Sequence, residues 1–212
     1  MCISSKESLL AGSILIGISI ALYIRNGLYD RIIALLFIVI SMVQFVELLF
    51  HTKNILSKNA GRALYIILWL ECLVLACGLY YHFETNLTLI WMSVFTVVFI
   101  IAVIYAFNTK FTVTKQYGHL VWSQANTSTV TILGNYRWVY LAGIFLPFII
   151  IQYYSNWKDW SMWILFSVIV LSALVVSRVY PDVSFSSMWC YSATTIIFTA
   201  WLIGAFKEHE SK

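Results

Sequence analysis

The most constraining feature of the chain is a run of almost unbroken hydrocarbon, residues 32–50, that nevertheless carries Gln44 and Glu47. At about 1.5 Å of rise per residue, a helix of this length crosses the roughly 30 Å apolar layer of a bilayer. Gln44 and Glu47 are three residues apart, so they share one helix face. A carboxyl group in hydrocarbon is costly and turns toward protein or a water-filled cavity. This face is therefore expected to point inward and is the first candidate site.

The rest of the chain repeats the pattern. Apolar residues make up 61% and charged residues only 10% of the 212 positions, against about 25% charged in a soluble domain. Such a chain cannot keep its surface wet, which points to an integral, multi-pass membrane protein. The apolar runs do not alternate, so helices are favoured over a transmembrane barrel. The expected fold is all-α: a single domain over residues 1–212 built as a bundle of seven transmembrane helices, at about 9–24, 32–50, 63–81, 87–107, 136–154, 160–177 and 188–206. The net charge of +4 is spread over several loops as interfacial Lys and Arg and gives no ground for nucleic-acid binding. The expected surroundings are the lipid bilayer, with a homo-oligomer or an unknown membrane partner left open.

Local signals refine this threading. Ser4 and Glu7 have the spacing of a capping box, which starts a helix at Ser5. Residues 9–24 look like the apolar region of a signal peptide, but no convincing small-x-small cleavage site precedes Arg25 and another span follows at once, so they are read as the first helix. Ser13, Gly17 and Ala21 recur every four residues, a stripe expected to face a neighbouring helix. A basic loop at 51–62 leads to span three, which carries Glu71; span four has no charge. In the longest connection, residues 111–114 and 119–122 flank Tyr117 and Gly118, a hairpin pattern, and Asn126, Thr127 and Ser128 form a glycosylation acceptor. Pro147 predicts a kink in span five. Trp157, Trp160 and Trp163 read as interfacial anchors. Eight Lys and Arg fall on the N-terminal side of this threading and five on the other, which favours a cytoplasmic N-terminus, whereas the first helix alone argues the reverse, since Arg25 and Arg31 outweigh Lys6.

Depth brings the polar residues together. Gln44 lies roughly 9 Å in from the end of span two, and Glu71 about 12 Å in from the start of span three. The two are nearly level on antiparallel neighbours and are expected to touch. Glu47 is shallower, within reach of His51 or Lys53. Gln44, Glu47 and Glu71 thus form the candidate intramembrane polar site, and three readings stay open. They are a polar clasp between helices, worth about 0.6 to 2 kcal/mol per contact; a site for protons, cations or a polar ligand; and a neutralised Glu facing lipid.

Other chemistry finds little support. His51, His82, His119 and His209 lack metal-ligand spacing, and Cys2, Cys72, Cys77 and Cys190 form no C-x-x-C. No metal and no cofactor is expected. There is no G-x-S-x-G nucleophile, and the last span has no lysine before Lys207 to form a Schiff base, so no catalytic residue is assigned. Ser192, Thr195 and Thr199 are read as a helix-packing face.

The opening Met1, Cys2, Ile3 and Ser4, with Ser8, Gly12 and the pair Gln44 and Glu47, resembles a family of small, uncharacterised multi-pass membrane proteins of bacteria and large DNA viruses. Those proteins begin Met-Cys-aromatic-Ser and carry a Gln followed by a Glu late in span two. Residues 187–191, with Trp189, Cys190 and Tyr191, are similar to the family's late Trp-Cys-aromatic segment. Ile3 replaces the usual aromatic, and Leu48 stands where a glycine often follows the Glu. The resemblance implies a seven-helix membrane domain and no established activity. The expected function is a non-enzymatic scaffold or receptor-like binder, with a small transporter or channel using Glu47 and Glu71 as the alternative.

Overall fold

The structure, a computed structural model, describes residues 5–27, 29–53, 57–116, 119–124, 133, 136–154, 160–179 and 193–202. In chain order these form α1 (Ser5–Arg25), α2 (Asp30–Lys53), α3 (Ser57–Phe83), α4 (Asn86–Asn108), β1 (Phe111–Gln116), β2 (His119–Gln124), α5 (Arg137–Tyr154) and α6 (Trp160–Val179). A short apolar helix, α7 (Ala193–Leu202), completes them. Among the described residues the architecture is all-α apart from one antiparallel hairpin. Four helices among the described residues, α1 to α4, are long and apolar enough to cross a membrane. Asn126, Trp157 and residues 180–192 lie outside the described residues.

Two boundaries differ from expectation. The loop expected at 51–62 is largely helical, because α2 runs on to Lys53 and α3 starts at Ser57. The segment carries several polar and basic residues but no proline, and polarity alone does not stop a helix. The hairpin forms as its pattern suggests. Phe111 pairs with Gln124 and Gln116 with His119; Tyr117 and Gly118 lie outside the described residues.

α1 packs on α2 through Ser8, Gly12, Leu15, Ser19 and Leu22. A Cβ at Gly12 would lie 3.2 Å from the Cβ of Gln44 and 3.3 Å from the Phe45 ring, so glycine sets how closely the two helices approach. This corrects the expected stripe. Ser13, Gly17 and Ala21 are exposed, and a Cβ at Gly17 would meet nothing within 4 Å. Small residues occur on both faces of α1, and their spacing does not reveal which one the polar face of α2 will take. A similar correction applies to α7. Ala193, Ile196, Ile197 and Ala200 are buried, whereas Thr195 is exposed and its carbonyl accepts the Thr199 hydroxyl at 2.8 Å.

Polar contacts fasten the helix ends. After α1, Asn26 takes φ 56° and its N–H bonds the carbonyl of Leu22 at 3.1 Å, a left-handed cap that Asn tolerates. The Arg25 guanidinium donates twice to Asp30, at 2.6 and 2.8 Å, and once to the carbonyl of Trp201 at 2.7 Å. The α1–α2 turn is thereby tied to α7. Thr85 caps α4 in a capping box with Thr88, and its hydroxyl lies 2.7 Å from that of Tyr154 at the end of α5. At the opposite end of α4, Arg62 donates to the carbonyls of Ala106 and Phe107 at 3.2 and 2.8 Å. A cation there satisfies orphan carbonyls and suits the negative end of the helix dipole.

The hairpin closes the end of the bundle where α2 stops and α3 begins. Phe111 sits directly on Gly61, where any side chain would collide with it, and its ring lies 5.4 Å from Tyr65. The buried Trp122 meets Phe50 edge-on at 5.3 Å. The Tyr105 hydroxyl donates to Oε1 of Gln124 at 3.0 Å.

Candidate functional site

All three candidate polar residues lie in the interior. Gln44 is 1% exposed, and Glu47 and Glu71 are 0% exposed, so none of them faces lipid. α2 presents Gln44 and Glu47 from one face, as their spacing requires. Gln44 lies where α1 crosses, its Cβ opposite Gly12.

Glu71 is held by a helix that depth matching did not consider. Its Oε2 accepts a 2.6 Å hydrogen bond from the hydroxyl of Tyr140, on α5. The expected Gln44–Glu71 hydrogen bond is not formed; the one bond of the Glu71 carboxyl goes to Tyr140, and Oε1 is buried without a partner. Level position is necessary for contact between two helices, but side-chain direction around each helix decides it. Likewise Nε2 of His51 is buried without a partner, and its ring packs edge-on against Phe50 at 6.4 Å.

The neighbourhood of Glu71 is built by close helix approach. The Cys72 thiol, next along α3, points to the carbonyl of Tyr140 at 3.7 Å. The Trp69 ring meets the Tyr140 ring edge-on at 6.2 Å. One turn beyond Tyr140 is Gly143, where a Cβ would lie 2.6 Å from the Phe95 ring and 2.7 Å from the Cys72 sulfur. Glycine at 143 lets α5 come near enough to α3 and α4 for the phenol to reach the carboxyl. The resulting contact joins α3 to α5 through residues 69 positions apart.

A carboxyl group offers roughly four acceptor positions, and this one uses a single strong donor. The arrangement fixes orientation well and leaves one oxygen with nothing bound to it. Two apolar cavities adjoin the bundle's core. One lies among α2, α3, α5, α6 and α7, lined by Leu36, Leu79, Pro147 and their neighbours; the other lies among α3, α4 and α5. Neither is lined by Gln44, Glu47 or Glu71. Among the described residues, no group of His, Cys, Asp and Glu could hold a metal ion.

Tyr140 and Gly143 were missed in the sequence, although a signal existed. A tyrosine inside an apolar run needs a partner for its hydroxyl, and a glycine three residues on shares its face. Asp30 and Gln152 are also buried and were not singled out. Compared with protein-family models, with curated proteins and with solved structures, the chain matches none.

Proposed function

We propose that the chain is a multi-pass membrane protein of seven spans that works as a non-enzymatic scaffold or receptor-like binder, with its buried carboxyls serving to fix helix positions. The observation that carries this reading is the setting of Glu71: fully buried, bonded to Tyr140, and lining neither of the two cavities described above. A carboxyl on a conduction path needs water or a succession of polar partners leading to it. The hairpin adds support, since Trp122 and Phe50 cover the end of α2 just beyond Glu47. The four helices long enough to cross a membrane support the membrane setting; the remaining three spans belong to the proposal.

The test is reconstitution in liposomes loaded with a pH-sensitive dye. Under an imposed pH gradient, with or without Na⁺ or K⁺, the decay should match that of protein-free liposomes. A faster decay that disappears in Glu71→Gln, with the variant still folded, would establish the transporter reading instead.

A further inference from the structure

The two ends of the bundle differ in charge. At one end α2 and α4 stop, α3 and α5 begin, and the hairpin sits on them. Arg62 on α3 bonds the last carbonyls of α4, Phe111 sits on Gly61, Trp122 meets Phe50, and the Tyr105 and Tyr136 rings lie 5.6 Å apart. These elements bring together Lys53, Lys58, Arg62, Lys110, Lys115 and Arg137. Carboxylates are missing from the same stretch of chain. After the buried Glu47, and before Asp159, the sequence has only Glu71, which is buried, and Glu84, which follows α3 at the other end. α1 also starts at the basic end, because Gly12 faces Gln44. It adds Lys6 and Glu7, whose charges cancel.

At the opposite end the charges are matched. Arg25 and Arg31 stand against Asp30 and Glu84, and Arg25 donates twice to Asp30, at 2.6 and 2.8 Å. The basic end has no such match in the elements that form it. Lys110 is exposed. Arg62 bonds two carbonyls and lies over the Phe107 ring at 5.6 Å, and all three of these partners are neutral. Like charges gathered at one end repel one another, so they call for anions from outside these elements. The preference of Lys and Arg for one side of a membrane accounts for where they lie. It does not neutralise them in the folded protein.

Depth identifies the anions within reach. Phe107, Tyr136 and Trp138 are exposed at this end, and Trp and Tyr at the ends of apolar spans sit at headgroup level. Lys110 comes three residues after Phe107, Arg137 stands between Tyr136 and Trp138, and Arg62 lies over the Phe107 ring. The cations are therefore at the depth of the lipid phosphates. We infer that this end of the bundle is a docking surface for anionic phospholipid headgroups, gathered by the six Lys and Arg that α2, α3, β1, α5 and the turn after α4 place around it. Clusters of about four to eight Lys and Arg beside a membrane span recognise such lipids. With the N-terminus cytoplasmic, the surface faces the leaflet that carries anionic lipid. The inference rests on the membrane setting proposed above and is independent of the choice between binder and transporter.

The experiment places the full chain in phosphatidylcholine vesicles and adds chain-spin-labelled phosphatidylglycerol or phosphatidylcholine. Electron spin resonance then gives the fraction of each lipid held at the protein surface. Phosphatidylglycerol should be preferred about fivefold at low ionic strength, the equivalent of one Lys or Arg beside an anionic surface. The preference should fall toward one in 1 M NaCl, where screening shortens to about 3 Å. It should be lost in the triple variant Lys58→Gln, Lys110→Gln, Lys115→Gln and kept in Arg31→Gln, an exposed cation at the opposite end. Equal retention of both lipids by the wild type overturns the proposal and leaves the excess charge to a water-soluble acidic partner. An unchanged preference in the triple variant, or an equal loss in Arg31→Gln, overturns it too. The salt titration needs no variant, so a misfolded triple variant does not remove the test. If neither lipid is held at all, the membrane setting fails with it. Glu71-dependent ion flux would defeat the binder reading and leave this preference intact, so the two failures are distinguishable.

Discussion

α3 and α4 are adjacent, similar in length and opposite in what their composition says about their position. α4 is the more apolar, with a mean hydropathy of 2.7, yet only 17% of its apolar window is buried; α3, at 2.1, is 50% buried. In water the greasier helix would be the inner one. Here the helix with Glu71 is central, and the helix without a charge turns Ile90, Val97, Ile100 and Ile104 outward. Lipid tails are as apolar as leucine, so apolar side chains gain little by moving inside, whereas polar groups gain a great deal. In the membrane reading, polarity rather than hydrophobicity marks the interior. The buried Ser41, Gln44, Glu47, Glu71 and Gln152 follow this rule.

The largest effect that would sharpen this contrast is expected at Gly143, where α5 meets both helices. Gly143→Leu should destabilise by about 3 kcal/mol, as overpacking does at a tight contact, and thermal unfolding in detergent measures it. Near-wild-type stability would mean that α5 does not approach α3 and α4 as described. The next effect is at the carboxyl itself. Glu71→Leu strands the Tyr140 hydroxyl and should cost about 1 to 3 kcal/mol, while Glu71→Gln, whose amide oxygen can still accept, should stay within roughly 0.5 kcal/mol of wild type. Equal losses in the two variants would argue that shape, not hydrogen bonding, matters at this position.

These expectations also show what could be read in advance. The apolar runs that become α1 to α4, the hairpin strands at 111–116 and 119–124, and the burial of Gln44, Glu47 and Glu71 were legible, because each follows from local composition or from the expense of a charge in hydrocarbon. The partner of Glu71 was not. Depth along a helix is readable from residue counts, but rotation about the helix axis depends on every neighbour at once. A search confined to the sequence-adjacent spans two and three therefore passed over Tyr140, which comes from α5. The small-residue stripe failed for the same reason, since α1 offers small residues on two faces and only packing selects between them.

That choice gives a smaller effect to measure. Gly12→Leu should destabilise by about 2 kcal/mol, because it collides with Gln44 and Phe45. Gly17→Leu, pointing into open space, should leave thermal stability nearly unchanged. A reversed order would return the contact face to Ser13, Gly17 and Ala21. The smallest effect belongs to the outer face of α4. Ile104→Ala, at an exposed position, should change stability by less than about 0.5 kcal/mol, and a loss like that of a buried core position would place α4 inside after all.

The most direct test of a polar interior joining α3 to α5 is a double-mutant cycle on Glu71→Leu and Tyr140→Phe, read from reversible unfolding in mixed micelles. If the 2.6 Å hydrogen bond between these side chains holds the two helices together, the cycle should return a favourable coupling of about 0.6 to 1.7 kcal/mol, the range for polar pairs between membrane helices. Strict additivity of the two single variants, with no coupling beyond experimental error, would contradict it.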